Sequence, residues 1–537
     1  MERRHFLLAS GAIAAAGAVG AAFWQWERVP ASVRYPGRLE GHWLRDTSRL
    51  PQASRSMTTD VLILGSGIAA LTAAWKLYKE GCRDFVVVSG PELYGNAAGG
   101  RLEAQNYPTG AHYLPLPSLE SRHVREMLFD LGVILRNPYA ERPYYDERFL
   151  LHAPGERVLY RNQWYEGYEP PLSQDGSARS ERGRFFDLID TLAATRGSDG
   201  RRLFVIPLEE SSADPTWRSL DHQSFDNWLD SEGFRAESLR WYLNYCCRDD
   251  YGRHAREISA WAGLHYFCAR IGQAENAQRG AVLTWPEGLS ALAQGLGRLA
   301  RLPERLVEGT VARLQPVAEG MEALCFQMQS GTPRAFTVKA RRTILAVPLL
   351  VGARVLPNAL ELGFDSARDM PRYAPWLVSN FLMNEFPEEK GGEPLAWDNV
   401  VYGERGLGYV VSTHQEIRQS RPAQSVFSAY NALSDMEPGL GRRWLDTASV
   451  PDLLEAAAAD LRLAYGWTLA PCVDRVEITV RGHAMTVPAP GFLSNPGLKA
   501  LRSLDGPLLI AHSDLSGLSV FEEAAWWGYR AAQKILS

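Results

Sequence analysis

The chain has 537 residues, 46% of them hydrophobic and 22% charged, and its formal net charge is −5. A chain of this length can bury a sizeable core and is expected to hold about two domains. The acidic balance, without clustered lysine or arginine, argues against a nucleic-acid partner. Six cysteines without C-x-x-C spacing argue against a zinc site or redox dithiol, so we expect unpaired cysteines and no metal site.

The first residues have the pattern of an export signal. Residues 2–8 read ERRHFLL, and an apolar stretch rich in Ala and Gly follows them. Two arginines, one spacer and the pair Phe6-Leu7 are typical of a twin-arginine signal. We therefore predict that residues 1–25 are such a signal, either cleaved or kept as a membrane anchor. The twin-arginine machinery would then export the folded protein to the periplasm. Residues 26–57, rich in Arg, Pro and Ser, are predicted to be a linker.

The next segment has the features of a dinucleotide-binding unit. Residues 60–64 (DVLIL) predict a buried parallel strand that leads into a glycine-rich turn and a helix. Gly65 permits the tight turn, Gly67 lets the backbone approach a pyrophosphate, and Ala70 allows the helix to pack closely on the strand. A second apolar strand at 85–88 completes the βαβ order. These parts predict a Rossmann-like unit with a pyrophosphate at the helix N-terminus.

Further motifs follow along the chain. They are YPTGAHYLPLP at 107–117, WPEGLSALAQGLGRLA at 285–300, GTVARL at 309–314, RRTILAVPLLV at 341–351, LLIAHSDLSG at 508–517 and FEEAAWWGYRAAQKIL at 521–536. With the glycine-rich turn, they resemble the flavin-containing amine oxidase superfamily, which includes polyamine oxidases and phytoene-desaturase-like enzymes. The resemblance is scattered over residues 58–537 and is strongest at both ends.

The resemblance implies an α/β fold with FAD as the cofactor and two domains. The expected domains are a discontinuous, Rossmann-like FAD-binding domain (58–130, 280–355 and 495–537) and a mixed α+β substrate domain (131–279 and 356–494).

The resemblance also implies a set of cofactor-binding residues. They are Gly65, Gly67, Ala70, Ser89, Gly99, Gly100, Arg101, Gly110, Ala111, His112, Val311, Asp514 and Phe521. In this reading, the backbone from Gly110 to His112 runs along the flavin and Val311 contacts the adenine. Asp514 holds the ribityl chain, and backbone N–H groups near Phe521 face the pyrimidine edge of the flavin.

Two contacts with the cofactor stay open. The family has a Gly-Gly-Arg segment after the second strand, and two segments of this chain compete for that position. YGNA at 94–97 matches it better in its distance from the strand, and AGGR at 98–101 matches it better in residue identity. The second strand usually ends in an acid that binds the adenosine ribose. Here Ser89 stands in that place and the nearest acid is Glu92, so either residue is a candidate for the ribose contact.

The resemblance implies an exported FAD-dependent oxidoreductase that removes a hydride from an amine or a similar small-molecule donor to flavin N5. One alternative is an FAD-dependent desaturase or isomerase acting on a lipid or isoprenoid, and another is a non-catalytic flavoprotein that binds a partner. No catalytic residue is assigned. Aromatic and histidine candidates for the substrate pocket are Trp285, Tyr409, His414, Tyr430, His483 and Phe492.

Lysine is scarce in the predicted substrate domain. Many amine oxidases of the family use a lysine there to hold a water near flavin N5, which assists oxygen reduction. Between Lys339 and Lys499 the only lysine is Lys390, and its neighbours (FPEEKGGEP) predict a solvated loop. The equivalent segment by resemblance, 375–386, has only uncharged polar residues besides a glutamate. We therefore expect a dehydrogenase that reacts poorly with oxygen, although oxygen and a quinone both stay open as electron acceptors.

Overall fold

The computed structural model describes residues 28–171 and 176–537. The predicted signal, with Arg3 and Arg4, lies outside the described residues.

The strands, in chain order, are β1 (Ala31–Arg34), β2 (Ser56–Leu64), β3 (Phe85–Val88), β4 (Gly99–Leu102), β5 (Gln105–Pro108), β6 (Tyr113–Pro115), β7 (Ile134–Arg136), β8 (Tyr144–Tyr145), β9 (Glu156–Tyr160), β10 (Gln163–Glu166), β11 (Val282–Thr284), β12 (Leu306–Val307), β13 (Thr310–Val317), β14 (Gly320–Gln329), β15 (Thr332–Leu345), β16 (Tyr373–Met383), β17 (Asp398–Val401), β18 (Tyr409–Val411), β19 (Ser425–Ala432), β20 (Val473–Thr486) and β21 (Leu508–Ile510).

The helices are α1 (Arg38–Trp43), α2 (Ile68–Lys79), α3 (Arg122–Asp130), α4 (Gly176–Ala194), α5 (Pro215–Arg218), α6 (Phe225–Ser231), α7 (Glu237–Tyr251), α8 (Ala260–Ala269), α9 (Ser290–Leu299), α10 (Leu349–Val355), α11 (Ser366–Asp369), α12 (Pro438–Thr447), α13 (Val450–Tyr465), α14 (Leu469–Cys472), α15 (Pro496–Arg502) and α16 (Phe521–Leu536).

The first large sheet is built from three separate stretches of the chain. Its order is β12-β3-β2-β15-β14-β13, and β21 also pairs with β15. β2 lies between β3 and β15 and is parallel to both. The side chains of residues 61–64 are fully buried, which explains why the last four residues of this strand are all apolar. The discontinuous Rossmann-like architecture expected from the motifs is present.

The two ends of this unit meet through their helices. α2 crosses α16 so closely that a Cβ added at Gly528 would lie 2.0 Å from the carbonyl oxygen of Ala69. Ala70, in the same turn of α2, is fully buried. Small residues at this crossing bring the N-terminus of α2 and the N-terminus of α16 to the same region of the fold.

The second large sheet has the order β1-β20-β16-β19-β18-β17-β9-β10. β16 lies near its centre and is buried along its whole length. Its side chains alternate between two apolar clusters: Trp376 and Val378 belong to one, and Leu377, together with residues of α13, belongs to the other. β16 thus presents Trp376 and Val378 to the side of the sheet where the cavities lie.

The predicted linker 26–57 contains regular structure instead. β1 pairs in parallel with β20, from Ala31 opposite Val476 to Arg34 opposite Thr479. α1 follows, and β2 begins at Ser56. The sequence of β1 carries only a weak alternation of buried and exposed side chains: Val33 packs against the core, and its neighbours Ser32 and Arg34 are exposed. The prediction of a linker did not take this alternation into account. The boundaries of the two domains stay a prediction.

Three smaller findings concern the described residues. None of the six cysteines is in a disulfide; five are buried and Cys82 is half-buried. Within 28–171 and 176–537, no group of three or more His, Cys, Asp or Glu side chains is placed to hold a metal ion. In the same ranges, no helix is long and apolar enough to cross a membrane.

Candidate functional site

Three adjoining cavities lie where residues of both large sheets meet. The cradle cavity, of about 360 Å3, is lined by the turn after β2, residues 94–97 and the start of α16. The far cavity, of about 380 Å3, is lined by Val311 and by the chain around α1. The aromatic chamber, of about 150 Å3, is lined by residues 110–113 and side chains of the second sheet. The cradle cavity shares lining residues with each of the other two, so the three form a continuous run.

The glycine-rich turn forms one wall of the cradle cavity. Gly65 has φ 115°, and a Cβ there would lie 2.3 Å from the carbonyl oxygen of Ala346, so only glycine fits. Gly67 is the N-cap of α2 with an ordinary φ of −74° and no side-chain cap. A Cβ added at Gly67 would meet no protein atom within 4 Å and would point into the space of the cavity. The free N–H groups and the positive end of α2 therefore face a space that fits a pyrophosphate.

The C-terminal motif forms the opposite wall. α16 begins at Phe521, its N-cap Val520 provides no side-chain cap, and both residues line the cradle cavity and the aromatic chamber. The positive end of this helix favours negative charge in the space that it faces.

Asp514 is a buried carboxylate in the wall of the cradle cavity. Its Oδ2 accepts hydrogen bonds from the hydroxyl of Tyr373 (2.6 Å) and the N–H of Leu349 (2.9 Å). Burial raises the pKa of Asp514, but the contact with His512 Nδ1 at 3.1 Å and these hydrogen bonds outweigh it and hold the pKa below its ordinary value. Asp514 therefore presents an ionised acceptor in the wall of the cavity.

The structure separates the two registers of the Gly-Gly-Arg segment. Residues 94–97 line the cradle cavity, and the Cβ position of Gly95 lies 3.5 Å from the Cα of Gly67. Gly99, Gly100 and Arg101 do not line any of the three cavities, because they form β4 of a hairpin in which the Arg101 side chain is exposed. The segment that matches the family motif in spacing, 94–97, thus lies at the cavity. The segment that matches it in residue identity, 98–101, has its Gly-Gly-Arg residues outside the cavity.

The chain from Gly110 to His112 runs between the cradle cavity and the aromatic chamber. Gly110 has no room for a side chain, because a Cβ would lie 2.2 Å from the carbonyl oxygen of Asn96. The N–H of Ala111 donates to the same oxygen at 2.9 Å. This close approach fixes the backbone at Gly110 and Ala111 against residues 94–97, at the wall of the cradle cavity.

Aromatic rings enclose the chamber beyond His112. The ring centroid of His112 lies 4.5 Å from the ring centroid of Tyr430, 5.0 Å from that of Tyr113 and 5.5 Å from that of Trp397. The hydroxyl of Tyr430 donates to the carbonyl oxygen of Gly110 at 3.1 Å, which ties β19 to the backbone segment between β5 and β6. Burial lowers the pKa of His112 to about 3, so its imidazole is neutral.

The chamber contains a carboxylate without an ion-pair partner. Asp250 forms an ion pair with Arg270 (2.5 Å). The side chain of Asp249, in contrast, has no hydrogen bond or ion pair with any of the described residues. Burial, and next the charge of Asp250, raise the pKa of Asp249 to about 7. Glu522 also lines the chamber, and burial raises its pKa. The chamber thus has an excess of acidic groups and suits a cationic ligand.

Arg481 stands where the chamber meets the cradle cavity, and its charge is already balanced. Its Nη1 lies 2.9 Å from Glu92 Oε2, and its Nε donates to the carbonyl oxygen of Thr109 at 2.8 Å. Both side chains of the pair are largely buried. Glu92 is therefore held by Arg481 and is not free for a ribose contact.

Two of the six residues predicted to line the substrate pocket do line a cavity, and four do not. Tyr430 lines the chamber, and His483 lines the cradle and far cavities. The other four do not line any of the three cavities: Tyr409 stacks on Phe427, His414 bonds the backbone of His152, Phe492 packs near Trp261, and Trp285 packs on Phe149. These side chains fill cores or surface, as most aromatic residues do.

Sequence reasoning missed Asp249, Trp376 and Arg481. The only signal was the pair Asp249-Asp250, which follows the aromatic and cysteine-rich run of α7 after Arg248, because acids next to a buried helix face are rarely buried unless paired. Trp376 and Arg481 had no such signal.

No lysine lines the three cavities, and all six lysines lie in the described part of the chain. Lys390 lies in the loop between β16 and β17, as its neighbours predicted, and its Nζ donates to the carbonyl oxygen of Leu463. In β16, the amide of Asn380 is occupied by the carbonyl oxygen of Pro108 and the hydroxyl of Ser428.

Comparison with known proteins confirms the fold. Residues 63–131 match the model of the NAD(P)-binding Rossmann-like domain. No curated protein sequence matches the chain. Wild-type putrescine oxidase bound to putrescine has a similar structure, with a TM-score of 0.63 and 17% identity over 90% of this chain and 99% of the other. Cyclohexylamine oxidase from Brevibacterium oxydans IH-35A gives 0.60 and 17%, over 89% and 98%. A CLA-producing fatty acid isomerase from P. acnes gives 0.55 and 14%, over 89% and 99%. The chain therefore shares the overall fold of these three proteins over about nine tenths of its length.

Proposed function

Starting from the fold shared with putrescine oxidase and cyclohexylamine oxidase, we propose that this chain is an FAD-dependent oxidoreductase that oxidises an amine. The observation that carries the proposal is the position of Asp249. An enclosed, unpaired carboxylate stands among aromatic rings, directly beside the cavity that fits a dinucleotide. A protonated amine would satisfy this carboxylate and be attracted to the faces of the rings.

Each part of the site has a task in this proposal. The turn at Gly67 and the start of α2 bind the pyrophosphate of FAD, and Asp514 accepts hydrogen bonds from the ribityl chain. The backbone from Gly110 to His112 orients the flavin ring, and the start of α16 stabilises negative charge on it. A bound flavin supplies the acceptor for a hydride from the substrate carbon next to nitrogen.

Asp249 binds the ammonium group of the substrate and can accept its proton at a carboxylate oxygen. A base with a pKa near neutrality suits this transfer. The neighbouring rings, Tyr113 and Tyr430, exclude water from the chamber and limit the positions that the substrate can take.

The alternative of a lipid isomerase is supported by the likeness to the fatty acid isomerase, but the charge of the chamber opposes it. Asp249 and Glu522 would repel the carboxylate of a fatty acid. The test is to add aliphatic amines, aromatic amines and unsaturated fatty acids, without oxygen, to the purified protein and to follow its visible flavin absorbance. Bleaching by an amine, with an aldehyde or ketone and ammonia as products, supports the proposal. A double-bond shift in a fatty acid, or no response to any compound, contradicts it.

The reduced protein should react slowly with oxygen and faster with a quinone. The chamber has no lysine to hold a water beside the flavin, and the charge of Arg481 is neutralised by Glu92. Arginine also does not give up a proton at neutral pH. Stopped-flow reoxidation by oxygen and by a soluble quinone measures both rates. Fast reoxidation by oxygen, with hydrogen peroxide formed in step with substrate loss, would show that the absence of lysine has no such effect.

Export through the twin-arginine pathway is also proposed, on the pattern of residues 2–8. Replacing Arg3 and Arg4 together by Lys keeps the charge but should leave folded, FAD-bound protein in the cytoplasm. The exposed pair Arg179 and Arg235, replaced in the same way, is the control. The measurement is the share of flavoprotein in the periplasmic fraction. An unchanged share in the Arg3→Lys, Arg4→Lys variant would show that these arginines are not an export signal.

A further inference from the structure

A segment that precedes the Rossmann unit lies across the far cavity. This segment, residues 35–45, is called the strap below. β1 anchors its beginning on the second large sheet, with Arg34 Nη1 3.1 Å from Glu477 Oε1. β2, on the first large sheet, follows the strap at Ser56. The chain therefore crosses from one sheet to the other, and strap residues line the far cavity on the way: Tyr35, Gly37, Glu40, Gly41, Leu44 and Arg45.

The strap is seated directly on the loop after β3. Gly37 has φ 73°, and a Cβ there would lie 3.1 Å from Cγ of Pro91. Leu44, at the other end, is buried in the core around the first large sheet. In Rossmann-like folds the end of the second strand is the place where the adenosine ribose binds. The strap thus contacts the chain at the point where the ribose is expected.

The loop after β3 has no carboxylate free for that ribose. The hydroxyl of Ser89 donates to the carbonyl oxygen of Gly90 at 2.8 Å, and Glu92 is held by Arg481 at 2.9 Å. Two other carboxylates line the far cavity, Glu40 of α1 and Asp446 of α12. Asp446 lies 3.7 Å from Arg38, and its side chain is 59% exposed.

Glu40 is the better placed of the two. It stands in the first turn of α1, three residues after Gly37, the N-cap residue that lies next to Pro91. Its side chain has no hydrogen bond or ion pair with any residue in the described ranges. A carboxylate that accepts two hydroxyl groups of a ribose is the usual partner of the adenosine half of a dinucleotide.

We propose that the strap completes the adenosine end of the dinucleotide site, and that Glu40 accepts hydrogen bonds from the ribose hydroxyls in place of the acid missing after β3. The inference goes beyond the proposed oxidation and rests on it only for the identity of the dinucleotide. It predicts that FAD leaves the protein only when the strap is displaced.

Two pairs of variants test the inference through FAD binding, measured as quenching of flavin fluorescence when apoprotein and FAD are mixed. Val33→Asp places a charge on the core-facing side of β1 and should unseat the strap, whereas Ser32→Asp changes the exposed neighbour. Glu40→Gln removes the proposed ribose contact, and Glu361→Gln changes an exposed acid elsewhere.

Val33→Asp and Glu40→Gln should each weaken FAD binding by about tenfold or more, because a hydrogen bond to a charged group is lost or misplaced. Both controls should stay within twofold of the wild type. Wild-type FAD affinity in Glu40→Gln, or in a Val33→Asp variant whose apoprotein melts normally, would overturn the inference. Wild-type apoprotein that binds no FAD at all would contradict the proposed function instead.

Discussion

A Gly67→Val variant should fold normally and bind no FAD. The backbone at Gly67 has an ordinary φ, and a Cβ there meets no protein atom, so valine does not strain the folded chain. The added methyl groups would occupy the space in the cradle cavity where the pyrophosphate approaches the start of α2. The loss of FAD would therefore be separate from any loss of stability.

The measurement is the visible flavin absorbance of the purified variant, together with its melting temperature in the absence of added FAD. Gly183→Val is the matched control, because a Cβ at Gly183 in α4 also meets no protein atom and lies away from the cavities. Gly65→Val should behave differently and fail to fold, since its Cβ would overlap the carbonyl oxygen of Ala346. Full flavin content in Gly67→Val would show that the pyrophosphate does not lie at this turn.

An Asp249→Asn variant should keep its FAD and lose activity towards amines. Removing the unpaired carboxylate that balances a buried ammonium costs about 2 kcal/mol or more, which is roughly thirtyfold in kcat/KM. Asp187→Asn, on the exposed face of α4, is the control. Flavin content measured at the same time distinguishes a damaged cofactor site from a damaged substrate site.

The pH dependence of the same pair gives a second check. Since the pKa of Asp249 is raised to about 7, its carboxyl is neutral at lower pH and binds an ammonium group poorly. The kcat/KM of the wild type should rise as the pH increases through that range. This rise should be absent from Asp249→Asn. Equal activity and equal pH profiles in the wild type and in Asp249→Asn would show that Asp249 does not bind the substrate.

The cofactor half of the site was largely predictable from sequence because its parts are local. Gly65, Gly67 and Ala70 stand close together in the sequence, directly after one strand. The closing helix can likewise be recognised from its own sequence alone. Residue identity did not single out residues 94–97, because the Gly-Gly-Arg residues stand in β4, outside the cavity. The approach of the backbone at Gly95 to Gly67 is visible only in three dimensions, and it shows that residues 94–97 lie at the cavity.

The substrate half was hardly predictable because its residues come from distant elements. Asp249 lies in α7, Trp376 in β16 and Tyr430 in β19, and only the folded second sheet brings them to one chamber. Tyr409 is the first residue of β18, directly after a loop, yet it stacks in the core on Phe427. The choice between core and pocket depends on which face of a strand a residue occupies, and a short strand does not reveal that face.

The central claim is that an amine in the chamber passes a hydride to bound FAD. The most direct measurement is the rate of flavin bleaching, without oxygen, by an amine and by the same amine deuterated at the carbon next to nitrogen. The account predicts complete bleaching by one equivalent of amine and a severalfold slower rate with the deuterated compound. Flavin that stays oxidised in excess amine, or bleaching that is insensitive to deuterium even in single turnovers at saturating amine, would contradict it.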